Sequence, residues 1–259
     1  MTAKQIFEKL LSESIDIWEI TCDTLIAGDP DKEVKKAATC FKLTAEVLDK
    51  AISMGVDMII THEPTFANTD NREDATFCDV KKWEILDKSG ITVYRFHDHA
   101  HNTEPDYIHR GFIEALGLDI SKKHPRESLG ITRYELAEPK SPKEIARLIS
   151  EKLGAQFVRI VGNADEKIGC VCLGLGSVGI KQINYLFDPG CDLFITGEVG
   201  EVKVCELVRD ANYYGMKKSI ILFGHYSAEY AGMRVLAHEL DRRIVPCVYI
   251  DSGEVYEGI

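Results

Sequence analysis

Positive charge is scarce in the 259-residue chain: 31 Lys+Arg stand against 42 Asp+Glu, a net charge of −11. A nucleic-acid backbone is bound by clustered Lys and Arg that displace its counterions, so no nucleic-acid partner is expected. Long apolar runs are missing as well. None approaches the ~18 residues that span a bilayer, so no membrane partner is expected either. The opening stretch MTAKQIFEKLLSESIDIWEI is an amphipathic helical pattern interrupted by acids, unlike the apolar core of a secretory signal. No C-x-x-C pair occurs among the eight cysteines, which excludes a zinc ribbon or a thioredoxin-type dithiol. They are scattered through apolar segments, with Cys170 and Cys172 on one face of an expected strand. Buried free thiols suit a reducing compartment, so the expected location is the cytoplasm. A G-x-x-x-x-G-K-[ST] phosphate loop is also absent, so nothing independently supports nucleotide binding.

What the chain does have is regular alternation. Short apolar runs at Ala37–Phe41, Met58–Thr61, Ile91–Phe96, Ile168–Leu173, Leu193–Thr196, Ser219–Phe223 and Val245–Ile250 read as buried strands. Helical patterns separate them at Thr44–Met54, Cys78–Lys88, Pro142–Leu153, Lys181–Phe187, Val199–Tyr213 and Ala228–Asp241. Strands and helices at this spacing imply βαβ units, hence an α/β fold with largely parallel or mixed sheets. Ser141 before Pro142 is a capping residue ahead of a first-turn proline. A polar, proline-bearing stretch at Lys122–Lys140 marks the expected seam between two α/β lobes, residues 1–125 and 126–259.

Gly174-Leu175-Gly176-Ser177-Val178-Gly179 matches G-x-G-x-x-G after a strand, with Glu198 near the end of the next strand. That is the pattern of a dinucleotide site. The same glycines also suit a plain tight turn from strand to helix.

Four other clusters sit where strands end. IITHEPTF carries His62 and Glu63; VYRFHDHAHN carries His97, Asp98, His99, His101 and Asn102; LFITGEVGE carries Glu198; ILFGHYSAE carries His225 and Glu229. Ligands of open α/β sheets bind at strand carboxyl ends. His225 and Glu229, four apart, share one helical face, so an imidazole and a carboxylate reach one region. Nitrogen and oxygen donors without a thiolate suit zinc, manganese, iron or nickel. His109, His124 and His238 have no such neighbours and are expected at the surface.

Several of these stretches resemble one family. CDTLIAGDPDKEV is similar to a segment of the form D-N-x-G-L-x-x-G-D, and LTAEVLDKAISMGVDMIITHEPTF to a helix followed by T-H-H-P. CDLFITGE and GHYSAE are similar to the approach to the last site strand and to a closing G-H-x-x-x-E. In this order they resemble the Nif-three-like family, the GTP cyclohydrolase 1 type 2 homologues, over nearly the whole chain. GLGSVG resembles the family's glycine turn, which weakens the dinucleotide reading. The resemblance implies metal ligands at His62, Glu63, His101, His225 and Glu229, holding two divalent ions. Two positions depart from the family pattern. Glu63 replaces the second histidine of H-H-P, and His101 replaces the aspartate of H-x-x-x-D, so His97 and Asp98 are alternative loop ligands. The resemblance further implies two related lobes with the metal site at strand ends between them, no large inserted domain, and a toroidal homohexamer. The function it implies is metal-dependent hydrolysis of a small molecule: ring opening of GTP, or phosphoester or amide cleavage, with His97, His99 or Glu198 moving protons. The alternatives are a non-catalytic metal-binding ring or metal chaperone, and a dinucleotide-binding enzyme using Gly174–Gly179.

Overall fold

The computed structural model describes residues 1–15, 20–67 and 75–258. Residues 16–19 of the opening amphipathic stretch lie outside the described residues. The chain forms two compact units, Met1–Tyr107 with Gly232–Gly253, and Ile108–Ala231 with Glu254–Ile259.

The first unit opens with helix α1 (Ala3–Leu11). The Thr2 hydroxyl accepts the Gln5 amide while the Gln5 side chain takes the Thr2 amide, a reciprocal cap that satisfies two donors the helix leaves over. Strands β1 (Leu25–Ala27) and β2 (Ala37–Cys40) follow, then α2 (Ala45–Ser53), β3 (Met58–Thr61), α3 (Phe77–Ser89) and β4 (Thr92–Arg95). Every residue of β2 and β3 is buried, as expected of apolar strands covered on both faces.

Helix α4 (Tyr107–Leu116) leads into the second unit and its hairpin, β5 (Ile120–Ser128) and β6 (Ile131–Lys140). Then come α5 (Pro142–Leu153), β7 (Arg159–Gly162), β8 (Ile168–Leu173), β9 (Ser177–Val178), the single-turn α6 (Ile180–Ile183) and β10 (Leu193–Thr196). The remaining elements are β11 (Glu198–Val199), α7 (Glu201–Tyr213), β12 (Ser219–Leu222), α8 (His225–Arg243) and β13 (Cys247–Tyr249). Helix α8 begins in the second unit and ends in the first.

In the first unit, the sheet order is β1-β4-β3-β2-β13. Its three pairings from β13 to β4 are parallel, and β1 lies antiparallel on β4. The core gathers Leu48, Ile59, Val93 and Ile250 around Trp83, on which Phe66 stacks with ring centroids 4.1 Å apart. The second sheet runs β5-β6-β8-β10-β12-β7, with β8, β10 and β12 parallel and antiparallel strands on both sides. Its core includes Cys172, Phe194, Val204 and Ile220.

The fold is thus mixed α/β, and β8 and β10 occupy the residues that the apolar runs predict. Residues 122–140, read from composition as a seam, form most of the β5–β6 hairpin. Strand β5 is polar because it is an edge strand, half-exposed or exposed throughout, where Pro125 is tolerated. Among the described residues no helix is long and apolar enough to cross a membrane.

Candidate metal centre

Strands β3 and β4 are parallel neighbours, so their carboxyl ends release the following residues at one edge of the first sheet. His62 and Glu63 follow β3, and His97, Asp98 and His99 follow β4 before the short 3-10 helix Ala100–Asn102. His62 is fully buried, with Nδ1 3.1 Å from the Phe96 carbonyl oxygen. A carbonyl only accepts, so Nδ1 carries the proton and Nε2 keeps the lone pair. His101 Nδ1 lies 3.4 Å from Asp106 Oδ2, which favours the same tautomer. His97 sits between two carboxylates, Asp98 Oδ1 3.0 Å from Nδ1 and Glu63 Oε1 3.5 Å from Nε2.

The three rings converge. Centroid separations are 4.5 Å for His62–His97, 5.2 Å for His62–His101 and 5.3 Å for His97–His101. One ligand atom from each lies within 4.8 Å of the others, so the cluster can hold a metal ion. Imidazole nitrogens with a neighbouring carboxylate fit a borderline transition ion better than calcium or magnesium.

A residue that sequence reasoning missed shapes this loop. Asp23 Oδ1 accepts the His97 amide and, at 3.2 Å, the Asp98 amide; Oδ2 accepts the His99 amide at 2.7 Å. His99 Nδ1 also meets Asp23 Oδ2 at 2.6 Å. One buried carboxylate therefore receives three consecutive backbone donors and an imidazole. Asp98 is fixed in its turn by the Thr21 hydroxyl at 2.9 Å and the Cys22 amide at 3.0 Å, both on Oδ2. The bond from His97, with those from Cys22 and Thr21, holds its carboxyl well below the usual carboxylate range. Asp106 was missed as well. The available signal was CDT at the head of the first resembling segment, where the aspartate is Asp23.

In the second unit, the loops after β8, β10 and β12 are stitched together by backbone bonds. The Glu198 amide donates to the Gly176 carbonyl at 2.9 Å, and the Gly224 amide to the Gly197 carbonyl at 3.0 Å. Here His225 opens α8, its Nδ1 3.0 Å from Glu198 Oε1. Its Nε2 is 3.2 Å from Oε2 of Glu229, which is buried. With the Nδ1 proton given to Glu198, Nε2 and the Glu229 carboxylate direct lone pairs at one position.

The glycine motif finds its explanation in the same place. Gly176 has φ +88°, and a Cβ there would collide with the Glu229 carboxylate and lie 3.1 Å from His225 Nε2. A Cβ on Gly174 would sit 2.5 Å from Phe194 Cζ and 2.6 Å from Ile131 Cδ1. After Gly179 comes a helix of only four residues. These glycines make room for side chains of their own unit, and no long helix N-terminus follows to receive a pyrophosphate. His109, expected at the surface, is buried between the Tyr134 hydroxyl and the Gly130 carbonyl, each 3.1 Å away. Helix α4, which the apolar pattern does not announce, carries it inward. His124 is half-buried against Glu135 and His238 is exposed.

Comparison with known proteins places the chain in a family and a fold. The profile of the family described as Duf34/NIF3 (NGG1p interacting factor 3) matches residues 6–251. A Clostridium perfringens protein named GTP cyclohydrolase 1 type 2 homolog is 27% identical over 225 residues, 85% of this chain and 83% of its own length. A Streptomyces coelicolor protein of the same name is 25% identical over 190 residues, 70% of this chain but 66% of its own length. Among solved structures, Staphylococcus aureus SA1388 superposes with a TM-score of 0.79 at 20% identity, over 100% of this chain and 99% of that one. Reduced HcgD from Methanocaldococcus jannaschii gives 0.76 at 19% identity, over 96% and 97% of the two chains. At these identities the structural likeness speaks to fold.

Proposed function

From the premise that this chain belongs to the Duf34/NIF3 family, we propose that it binds a pair of divalent metal ions and uses them to hydrolyse a small molecule. The observation that carries the reading is the anchoring of His62, His101 and His225, each through Nδ1 to an oxygen acceptor. Metal-binding histidines are held in this way, because the outer acceptor fixes the tautomer and raises the basicity of the free nitrogen. The proposed ligands are His62, Glu63, His101, His225 and Glu229, with His97 and Asp98 as loop alternatives. This nitrogen and oxygen set suits zinc, manganese, iron or nickel.

When bound, such ions supply a water of lowered pKa and polarise the bond to be cleaved. The chain's own residues hold and orient. Asp106 keeps the His101 ring from turning, and Asp23 keeps the loop at 97–99 in register. Glu198 has a side chain 52% exposed and touches His225, so it is placed to pass a proton to solvent. His99 is committed to Asp23 and serves the shape of the loop.

The names of the relatives make ring opening of GTP the first reaction to try, beside phosphoester and amide hydrolysis. The proposed assembly is a toroidal homohexamer. Metal analysis of the native protein, followed by a hydrolase panel on wild type and His225→Ala, tests the reading. Less than one metal per chain, or turnover that survives the substitution, overturns it. Bound metal without turnover on any substrate moves the reading to a metal-binding ring or metal chaperone.

A further inference from the structure

The donor set above contains no sulfur, yet a cysteine lies beside it. Among the described residues Cys22 is the cysteine that joins a metal-capable group, with His97 and Asp98, one ligand atom from each within 4.8 Å of the others. Cys22 is half-buried, and two bonds fix its place relative to Asp98: its own amide on Asp98 Oδ2, and the hydroxyl of the adjoining Thr21 on the same oxygen. We propose that Cys22, His97 and Asp98 form a thiolate-bearing position for a borderline-soft divalent cation such as zinc or cobalt(II), next to the imidazole cluster. The inference rests on the metal-binding part of the proposed function, because His97 borders both positions, and is independent of hydrolysis.

The chemistry of His97 makes the position workable. Its two nitrogens point to opposite sides, each toward a carboxylate, with Nδ1 donating to Asp98 Oδ1 at 3.0 Å. A proton moved to Nε2, which faces Glu63 Oε1 at 3.5 Å, turns the Nδ1 lone pair to the side of Cys22 and Asp98. Zinc–sulfur and zinc–nitrogen bonds of about 2.3 and 2.0–2.1 Å place two such donors roughly 3.5 Å apart. The group therefore closes on an ion by side-chain shifts of about an ångström, without moving the backbone that Asp23 pins.

Charge favours the same outcome: the Asp98 carboxylate belongs to the group and Asp23 Oδ1 lies 3.9 Å from Cys22 Sγ, so two carboxylates attract a cation to the thiol. Binding then releases the thiol proton to solvent, as it does at every thiolate site.

The test is a cobalt(II) titration of the full, metal-stripped chain, read by absorption. Wild type is expected to show visible ligand-field bands together with the near-ultraviolet sulfur-to-cobalt charge-transfer band. Cys22→Ser should keep the visible bands, lose the charge-transfer band, and take up less cobalt per chain. A second readout needs no variant: zinc should protect Cys22 of the wild-type chain from maleimide, located by peptide mass mapping. A charge-transfer band that survives Cys22→Ser, or visible bands in wild type without it, overturns the inference while leaving the imidazole cluster standing. Absence of both kinds of band overturns this position and the metal reading together. Unchanged Cys22 labelling at saturating zinc also overturns it.

Discussion

Asp23 lies 74 to 76 residues before the amides it accepts, yet it sets the geometry of the loop after β4. A buried carboxylate accepting amide donors makes charge-assisted bonds, and replacing it with an amide turns one acceptor into a donor facing donors. Asp23→Asn is therefore expected to cost about 2–3 kcal/mol in urea unfolding, the penalty of leaving buried donors unmet. Cobalt affinity should fall roughly 10–100-fold although Asp23 is not a proposed ligand, as when an outer partner of a metal site is lost. An unchanged affinity would show that other contacts hold the loop. Gly176 makes the matching case in the second unit. Gly176→Ala adds strain at φ +88° and pushes on the Glu229 carboxylate, so we expect a loss of about 1–3 kcal/mol by the same melt. At this scale the sequence was half legible. His62, His101, His225 and Glu229 announce themselves by residue type at strand ends, and each is drawn into a His or Glu group within its unit. Asp23 has only the CDT of a resembling segment to mark it and Asp106 has no local signal, since their contacts are created by the folded loop.

Elements were read best where one physical cause dominates. Strand β10 is an apolar run buried throughout, β8 is apolar and buried over Val171–Leu173, and α5 starts where Ser141 caps Pro142, so their limits follow from the residues alone. The hairpin β5–β6 and helix α4 escaped because their identity depends on partners: an edge strand reads as polar linker, and α4 has Gly111 within it. Helix α3 shows how an end is fixed. Asp79 takes the Thr76 amide at 3.1 Å and its hydroxyl at 2.6 Å, and it also accepts the Ala67 amide at 3.3 Å. The Thr76 hydroxyl bond, joined by the Thr76 and Ala67 amides and by Lys82, lowers the carboxyl below its usual range. A depressed folded value means the stabilisation is complete above the unfolded value of about 4 and is lost as pH falls through the folded one. Asp79→Asn should therefore lower stability near neutral pH by about 1 kcal/mol, as for loss of a helix cap. Thermal melts of variant and wild type should converge as the solution is acidified below that range. A difference that instead grows in acid would show that the carboxylate is not the stabilising form.

For the molecule as a whole, the order of the chain decides which pieces can fold. The first unit is closed by Gly232–Gly253, not by the residues that immediately follow β4. Strand β13 pairs in parallel with β2 through Cys247–Ala37 and Tyr249–Thr39. The Thr39 hydroxyl donates to the Met233 carbonyl at 2.7 Å, and Leu236 and Leu240 are fully buried. A chain stopped after residue 231 loses all of this: β2 becomes an open edge, a buried hydroxyl loses its acceptor, and apolar surface of the first core meets water. A chain stopped after residue 253 loses much less, chiefly the Ser227–Glu254 bond at 3.1 Å and the Gly258–Gln156 bond at 2.8 Å. The 1–253 chain should keep a cooperative thermal transition within about 1–2 kcal/mol of the full chain, the worth of two exposed or half-buried hydrogen bonds. The 1–231 chain should lose amide protection in β2 and β3 by hydrogen exchange, because the sheet that positions His62 has lost its neighbour on the far side of β2. Retained protection there would mean that β2, β3 and β4 form a stable sheet by themselves, and that the late return of the chain matters to some property other than the stability of the strand that delivers His62.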